Sequence, residues 1–134
     1  MSDDGSLASE SGNRAALERM FAAFERGDWN AVVADFAEDF VQEWPQSGER
    51  LSSKQACLNV FRNYPGGTPS LRPARVSGEG DHWIVEADMQ YGDQPVRGVS
   101  IFEFRNGKIV HETDYFADPF EAPAWRSQWV TIVE

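Results

Sequence analysis

The sequence is poor in the residues that form disulfides or bind metals. It has one cysteine, Cys57, and two histidines among 134 residues. A single cysteine cannot form an internal disulfide, so we expect a reducing compartment, the cytoplasm. The two histidines form no His-x-His pair and no Cys/His spacing, so the sequence predicts no metal site. No motif predicts a cofactor.

Positive charge is also scarce. The chain has 12 Lys and Arg against 22 Asp and Glu, which gives a formal net charge of −10. Nucleic acids and anionic membrane surfaces both require a basic face, so we expect neither partner. No stretch approaches the roughly 20 consecutive apolar residues of a membrane span. The start of the chain is polar and acidic and lacks the pattern of a signal peptide.

The composition is typical of one domain with one core. Hydrophobic residues make up 41% and aromatic residues 13% of the chain, which is enough to bury a sizeable interior. Residues 1–12 are polar and acidic, and we predict a disordered tail there. Residues 13–134 are predicted to form a single domain.

Apolar residues at helical spacing predict three helices. The first begins with Asn13 as its cap and ends at Gly27, and the second is capped by Asp28. The third begins at Ser52 or Ser53. The predicted buried faces consist of Leu17, Met20, Phe21 and Phe24 in the first helix, Val32, Val33, Phe36 and Ala37 in the second, and Cys57, Val60, Phe61 and Tyr64 in the third.

A period of two then predicts strands. Residues 40–44 form a short strand, and four longer strands cover 71–77, 82–91, 96–105 and 108–116. Asn106-Gly107 is a two-residue hairpin turn, because both residues tolerate positive φ. Three helices followed by an antiparallel meander predict an α+β fold, with the helices packed on one face of a curved sheet.

The unusual feature of these strands is their acidic residues. Glu112 and Asp114 share one face of an otherwise apolar strand. Asp88 and Glu86 share a face opposite an apolar row, Trp83, Val85, Ala87, Met89 and Tyr91. A carboxylate held among aromatic side chains has a raised pKa, and two such groups together can divide into an acid and a base. Asp88 and Asp114 would form this pair if their strands converge.

An ordinary alternative remains for these acids. Glu112 and Asp114 could face solvent or pair with Arg97 and Arg105 on a neighbouring strand. If Asp88 and Glu86 face the pocket, the apolar residues Trp83, Val85, Met89 and Tyr91 lie on the outer face of the sheet and would be wet in a monomer. Such a patch is typical of an interface, so we expect a homodimer.

Two segments carry a family resemblance, FAAFERGDWNAVVADFAEDFV at 21–41 and FEFRNGKIVHETDYFADPF at 102–120. They resemble the opening and the closing hairpin of the nuclear transport factor 2-like superfamily, in particular its SnoaL-like branch. The resemblance implies a cone: a strongly bent sheet around the helices, a pocket at the wide end, and a homodimer through the outer sheet face. The fold hosts isomerases, cyclases, hydrolases and binding modules.

The resemblance also implies site residues. Asp114 and Asp88 fall where limonene epoxide hydrolases have their two aspartates, but Glu86 replaces the arginine. The aspartate before a proline in ketosteroid isomerases is replaced by Trp44, and their tyrosine by Met20. Polyketide cyclases use a pocket aspartate, which Asp114 could supply.

We therefore predict a pocket for a small, largely apolar molecule, with Asp114 and Asp88 as acid/base residues. Two functions remain open: a cofactor-independent isomerase, cyclase or hydrolase, and a non-catalytic ligand-binding or dimerisation module. Glu86 and Glu112 would lie at the pocket rim. The segment 120–129 could instead pack on a dimer partner. The other residues predicted to line the pocket are Trp44, Tyr64, Phe116, Trp125 and Trp129.

Overall fold

Two helices, two strands and a third helix precede a run of four long strands. The computed structural model describes residues 2–133, with side chains from Gly12 onward. The helices are α1 (Ser2–Glu25), α2 (Trp29–Val32) and α3 (Lys54–Arg62), and a 3-10 helix follows at Ala124–Trp129. The strands are β1 (Phe36–Trp44), β2 (Glu49–Leu51), β3 (Ser70–Glu79), β4 (His82–Tyr91), β5 (Gln94–Arg105) and β6 (Lys108–Ala117). The fold is α+β.

The six strands form one sheet in the order β2-β1-β6-β5-β4-β3. β1 and β6 are parallel, and the other neighbours are antiparallel. The predicted turn between β5 and β6 is confirmed, with φ of 52° at Asn106 and 79° at Gly107. The sheet is curled but not closed.

The core lies between the helices and the inner face of the sheet. Leu17 from α1 packs with Phe40, Phe102 and Ile109 from the strands, and all four are 0% exposed. Each large apolar side chain buried in this way stabilises the fold by about 1.5–3 kcal/mol. Asn13 is not a helix cap. It is buried within α1, and its amide donates to the Gly80 carbonyl at 2.9 Å.

The second helix is much shorter than predicted. Asp28 caps it as expected, accepting a hydrogen bond from the Ala31 amide at 3.2 Å. However, α2 is one turn long, and Phe36 and Ala37 already belong to β1. Phe36 pairs with Ile109 on β6, so sheet pairing overrides the local helical spacing. The third helix is capped by Ser53, which accepts from the Ala56 amide at 3.1 Å.

The predicted faces of β4 are reversed. Trp83, Val85 and Met89 lie on the inner face and are 4%, 1% and 7% exposed. Glu86 and Asp88 therefore point outward. The expectation that this apolar row would lie wet on the outer face is wrong, because the helices cover it. Because this row is buried, it gives no argument for a dimer.

A β-bulge interrupts β6 at Val110. Glu103 on β5 pairs with His111, whereas the next residue, Phe104, pairs with Ile109. The extra residue breaks the alternation of faces. Ile109 is therefore buried in the core although Glu112 and Asp114, which lie three and five residues after it, also point inward. Strict alternation would place Ile109 on the face opposite to these two acids.

The side chains of residues 1–11 lie outside the described part of the chain. The disordered tail predicted for residues 1–12 therefore stays a prediction. The same holds for the single-domain boundary at residue 13. None of the described helices is long and apolar enough to cross a membrane.

Candidate functional site

Asp114 is buried at the inner face of β6 and surrounded by hydrogen-bond donors. It is 3% exposed. Its Oδ2 accepts from Gln42 Nε2 at 2.6 Å and from the Trp44 indole at 3.0 Å. Its Oδ1 accepts from the Ser100 hydroxyl at 2.6 Å. A carboxylate has about four lone-pair positions, so these donors leave room for one more partner at Oδ1.

Glu112 lies two residues before Asp114 on the same face and is 8% exposed. Burial raises the pKa of Glu112 well above its usual value, and the Asp114 carboxylate and a hydrogen bond to it raise this pKa further. Two carboxyl groups in one dry site cannot readily both ionise. The raised pKa favours the protonated form of Glu112, which donates a hydrogen bond to Asp114.

Gln42 joins the two acids from the neighbouring strand. Its Nε2 also lies 3.3 Å from Glu112 Oε2, and its Oε1 accepts a weak hydrogen bond from Cys57 Sγ at 3.4 Å. The parallel pairing of β1 and β6 sets Gln42 opposite Glu112. Burial, with the nearby Glu112 and Asp114, raises the pKa of the Cys57 thiol to about 12. Cys57 is therefore a neutral donor to this network.

The two acids open onto a cavity of about 80 Å³ between the helices and the sheet. Aromatic and aliphatic side chains dominate its wall, and among the described residues no Lys, Arg or His lines it. The aromatic wall consists of Phe21, Phe24, Trp44, Phe61, Tyr64 and Phe116. The cavity can hold a small polar group or one end of a ligand. It is smaller than typical ligand pockets, about 300–1,000 Å³.

A wider depression of about 480 Å³, called the funnel below, adjoins this cavity. Trp44, Tyr64 and Phe116 line both and so form the neck between them. The Tyr64 and Tyr91 hydroxyls lie 3.4 Å apart in the wall of the funnel. The other residues that line the funnel are Gln46, Ser47, Glu49, Gln94, Val96 and Asp118. A molecule of drug size could place one end in the cavity and its body in the funnel.

The structure does not bring Asp88 to Asp114. Asp88 lies on the outer face, where Arg97 donates to it at 2.8 Å and its side chain is 53% exposed. Glu86 is also outside, paired with Arg75 at 2.5 Å. The expected pair of aspartates is not formed because β4 presents its apolar row inward. Glu112, expected at the rim, takes the second position inside.

The arginines considered as partners for the acids lie elsewhere. Arg97 pairs with Asp88, and Arg105 donates to Asp39 at 2.6 Å. Trp125 and Trp129 are 73% and 72% exposed and line neither the cavity nor the funnel. Trp44, Tyr64 and Phe116 do line the cavity.

Sequence reasoning missed Gln42, Ser100 and the contribution of Cys57. Gln42 alternates with Phe40 and Trp44 on β1, and Ser100 alternates with Phe102 on β5. A polar residue between two inward aromatic or aliphatic residues was the available signal. It becomes informative only once the inner face of each strand is known.

A model of a family described as "SnoaL-like domain" matches residues 17–112. An NTF-2 like protein of unknown function from Burkholderia xenovorans is 42% identical, with a TM-score of 0.82 over 92% of this chain and 97% of that chain. A proposed ketosteroid isomerase from Kribbella flavida is 27% identical, with a TM-score of 0.86 over 93% and 92% of the two chains.

An LEH-like epoxide hydrolase from M. tuberculosis is 22% identical, with a TM-score of 0.65 over 80% of this chain and 84% of that chain. At this identity the likeness shows the fold alone. A comparison with curated proteins gives no match.

Proposed function

The chain belongs to the SnoaL-like domain family, and we propose that it is a cofactor-independent enzyme that moves a proton on a small, largely apolar molecule. One observation carries this proposal: Glu112 and Asp114 line one cavity, and burial together with the neighbouring Asp114 raises the pKa of Glu112. A pair of acids in different protonation states provides a proton donor and a proton acceptor at one place.

In this proposal each acid has its own role. When a substrate binds, the Glu112 proton turns from Asp114 to a carbonyl oxygen of the substrate, where its hydrogen bond stabilises the negative charge that develops. Asp114 accepts a proton from the carbon next to that carbonyl and returns it at another position. Ser100, Gln42 and Trp44 hold the Asp114 carboxylate in place. The aromatic wall excludes water and binds the apolar part of the molecule.

The relatives support this reaction class in part. The Kribbella flavida protein is described as a proposed ketosteroid isomerase. In this chain, Trp44 and Met20 stand where the aspartate and tyrosine of such isomerases would fall, and both line the cavity. The proton-transfer groups would therefore come from β6, on the opposite side of the cavity from α1.

A non-catalytic binding module is the second candidate. It is favoured by the three donors already bound to Asp114, which hold the carboxylate inside the protein. In this case the cavity would bind the polar end of a ligand without transforming it.

Deuterium exchange separates these two functions. A panel of neutral cyclic ketones and enones is incubated in D2O, and mass spectrometry measures deuterium incorporation next to the carbonyl. General acid–base catalysis contributes roughly 10²- to 10⁴-fold, so Glu112→Gln and Asp114→Asn should each slow exchange by about 100-fold or more. Asp93→Asn, in an exposed turn, is the matched control. If a ketone binds but no deuterium is incorporated, the proposed enzyme is refuted and the non-catalytic binding module is supported.

We also propose that the chain forms a homodimer through its C-terminal arm, residues 118–133. The arm exposes several large apolar side chains, which are Phe120, Trp125, Trp129, Val130, Ile132 and Val133. On the outer sheet face, Val99 and Tyr115 are register partners and are 37% and 42% exposed. Each chain thus carries an apolar arm and an apolar patch, and a second copy would cover both.

A further inference from the structure

We propose that the substrate carries a protonated amine, which binds in the funnel while the uncharged reacting end of the same molecule enters the cavity. This inference rests on the proposed function, because it places one molecule across both spaces. It adds a chemical class of ligand and a recognition site distinct from the Glu112–Asp114 pair.

The walls of the funnel suit a cation. Four aromatic side chains, Trp44, Tyr64, Tyr91 and Phe116, line it together with the carboxylates of Glu49 and Asp118. An ammonium group within about 6 Å of an aromatic face is attracted by the ring, by roughly 0.5–1 kcal/mol at exposed sites. Aromatic rings beside carboxylates therefore favour an organic ammonium ion over an inorganic cation.

The two carboxylates are available for such a ligand. Among the ion pairs of the described residues, neither Glu49 nor Asp118 has a basic partner. Glu49 accepts a hydrogen bond from the Ser47 hydroxyl at 2.6 Å, which fixes one of its oxygens. In the described part of the chain, no Lys, Arg or His lines the funnel.

The charge of the rest of the molecule also favours a cationic ligand over an anionic one. The formal net charge is −10, so the long-range field attracts cations and repels anions. The cavity beyond the neck also lacks a basic side chain among its described residues. A phosphate or carboxylate group would enter this path without a partner and would lose its hydration.

A matched set of probes tests the charge directly. The probes are 3-phenylpropylamine, 3-phenylpropanol and 3-phenylpropionate, which share one skeleton and differ in charge. Isothermal titration calorimetry at pH 7 measures the affinity of the full chain for each. We expect the amine to bind most tightly, the alcohol more weakly and the acid weakest. Added salt should weaken only the amine, because charge interactions at exposed sites are screened.

Conservative variants test whether the tighter binding of the amine depends on the carboxylates of the funnel. Exposed ion pairs contribute roughly 0.2–1 kcal/mol, so Glu49→Gln and Asp118→Asn should each weaken amine binding by about 2- to 5-fold and leave the alcohol unchanged. Asp93→Asn removes one negative charge outside the funnel and should change neither affinity. An equal loss in Asp93→Asn would mean that net charge alone attracts the amine, and the funnel site would be refuted.

Different results would overturn the amine inference alone or the proposed function as well. Equal binding of amine and alcohol, or tighter binding of the acid, would overturn the amine inference and leave the proposed function intact. Absence of binding by all three probes would overturn the amine inference and would also remove the pocket on which the proposed function depends.

Discussion

The side-chain amide of Gln42 donates to Asp114 Oδ2 at 2.6 Å and lies 3.3 Å from Glu112 Oε2, so a single amide on β1 connects the two acids of β6. A second contact orients that amide, because its oxygen accepts a weak hydrogen bond from the Cys57 thiol at 3.4 Å. The geometry of the acid pair therefore depends on a residue from another strand.

Gln42→Ala should destabilise the protein as well as the site. The substitution removes one of the two donors to Asp114 Oδ2 and the amide donor to Glu112 Oε2, and an unsatisfied buried polar group costs about 1–3 kcal/mol. Urea unfolding should show a loss in that range. Gln55→Ala, on the exposed face of α3, removes an amide of equal size and should change stability by less than about 0.5 kcal/mol. Equal effects of both substitutions would show that the amide bridge is energetically unimportant.

Glu112→Gln should change how stability depends on pH. The folded-state pKa of Glu112 is raised above the usual 4.5, so above pH 4.5 the folded state holds a proton that the unfolded state releases. The free energy of unfolding of the wild type should therefore fall as pH rises from about 4.5 until the raised pKa is passed. The Glu112→Gln variant has no carboxyl group at this position, so its free energy of unfolding should lack this pH dependence.

The check on Glu112 is a set of denaturation curves between pH 4 and pH 8. Glu79→Gln, at an exposed strand end, is the control and should run parallel to the wild type. If the Glu112→Gln curve also runs parallel, Glu112 is not held protonated in the folded protein.

Cys57 should not react with alkylating reagents in the native protein. Its thiol is 0% exposed and its pKa is raised to about 12, whereas the thiolate is the reactive form. Iodoacetamide at pH 8 should label the protein only as fast as it unfolds, and rapidly in urea. Fast labelling of the native state would mean that the cavity opens to reagents from the side of α3.

The C-terminal arm should determine the oligomeric state. Sedimentation should show a dimer of the full chain, and Trp125→Ser with Trp129→Ser should weaken it by about 30-fold, since interface hot spots are worth roughly 2 kcal/mol or more. Glu121→Gln, in the same arm, is the control. A monomeric wild type at micromolar concentration would contradict the proposed dimer.

Much of the fold could be predicted because the strands have a clear period and definite turns. β4 has the predicted bounds, and the Asn106-Gly107 turn has the required positive φ values. The length of α2 could not be predicted, because Phe36 and Ala37 fit a helical stripe equally well. Their place in β1 depends on pairing with β6, which is distant in sequence.

The site was harder to predict than the fold. Asp88 and Asp114 occupy similar settings in the sequence, and only the packing of Trp83 and Val85 against the helices decides that Asp88 points outward. Gln42 and Ser100 gave no signal until the inner face was known. Local spacing specifies which residues share a face, but the choice of the inner face is made by the whole core.

The bulge at Val110 has a consequence for tolerance of length changes in β6. Removing that one residue would leave Ile109 and Glu112 two residues apart, so strict alternation would keep Ile109, Glu112 and Asp114 on the inner face. Insertion of one residue between Glu112 and Asp114 would instead turn one of the two acids to the outer face and abolish the acid pair. The presence of this site therefore depends on a residue count as much as on the identity of the acids.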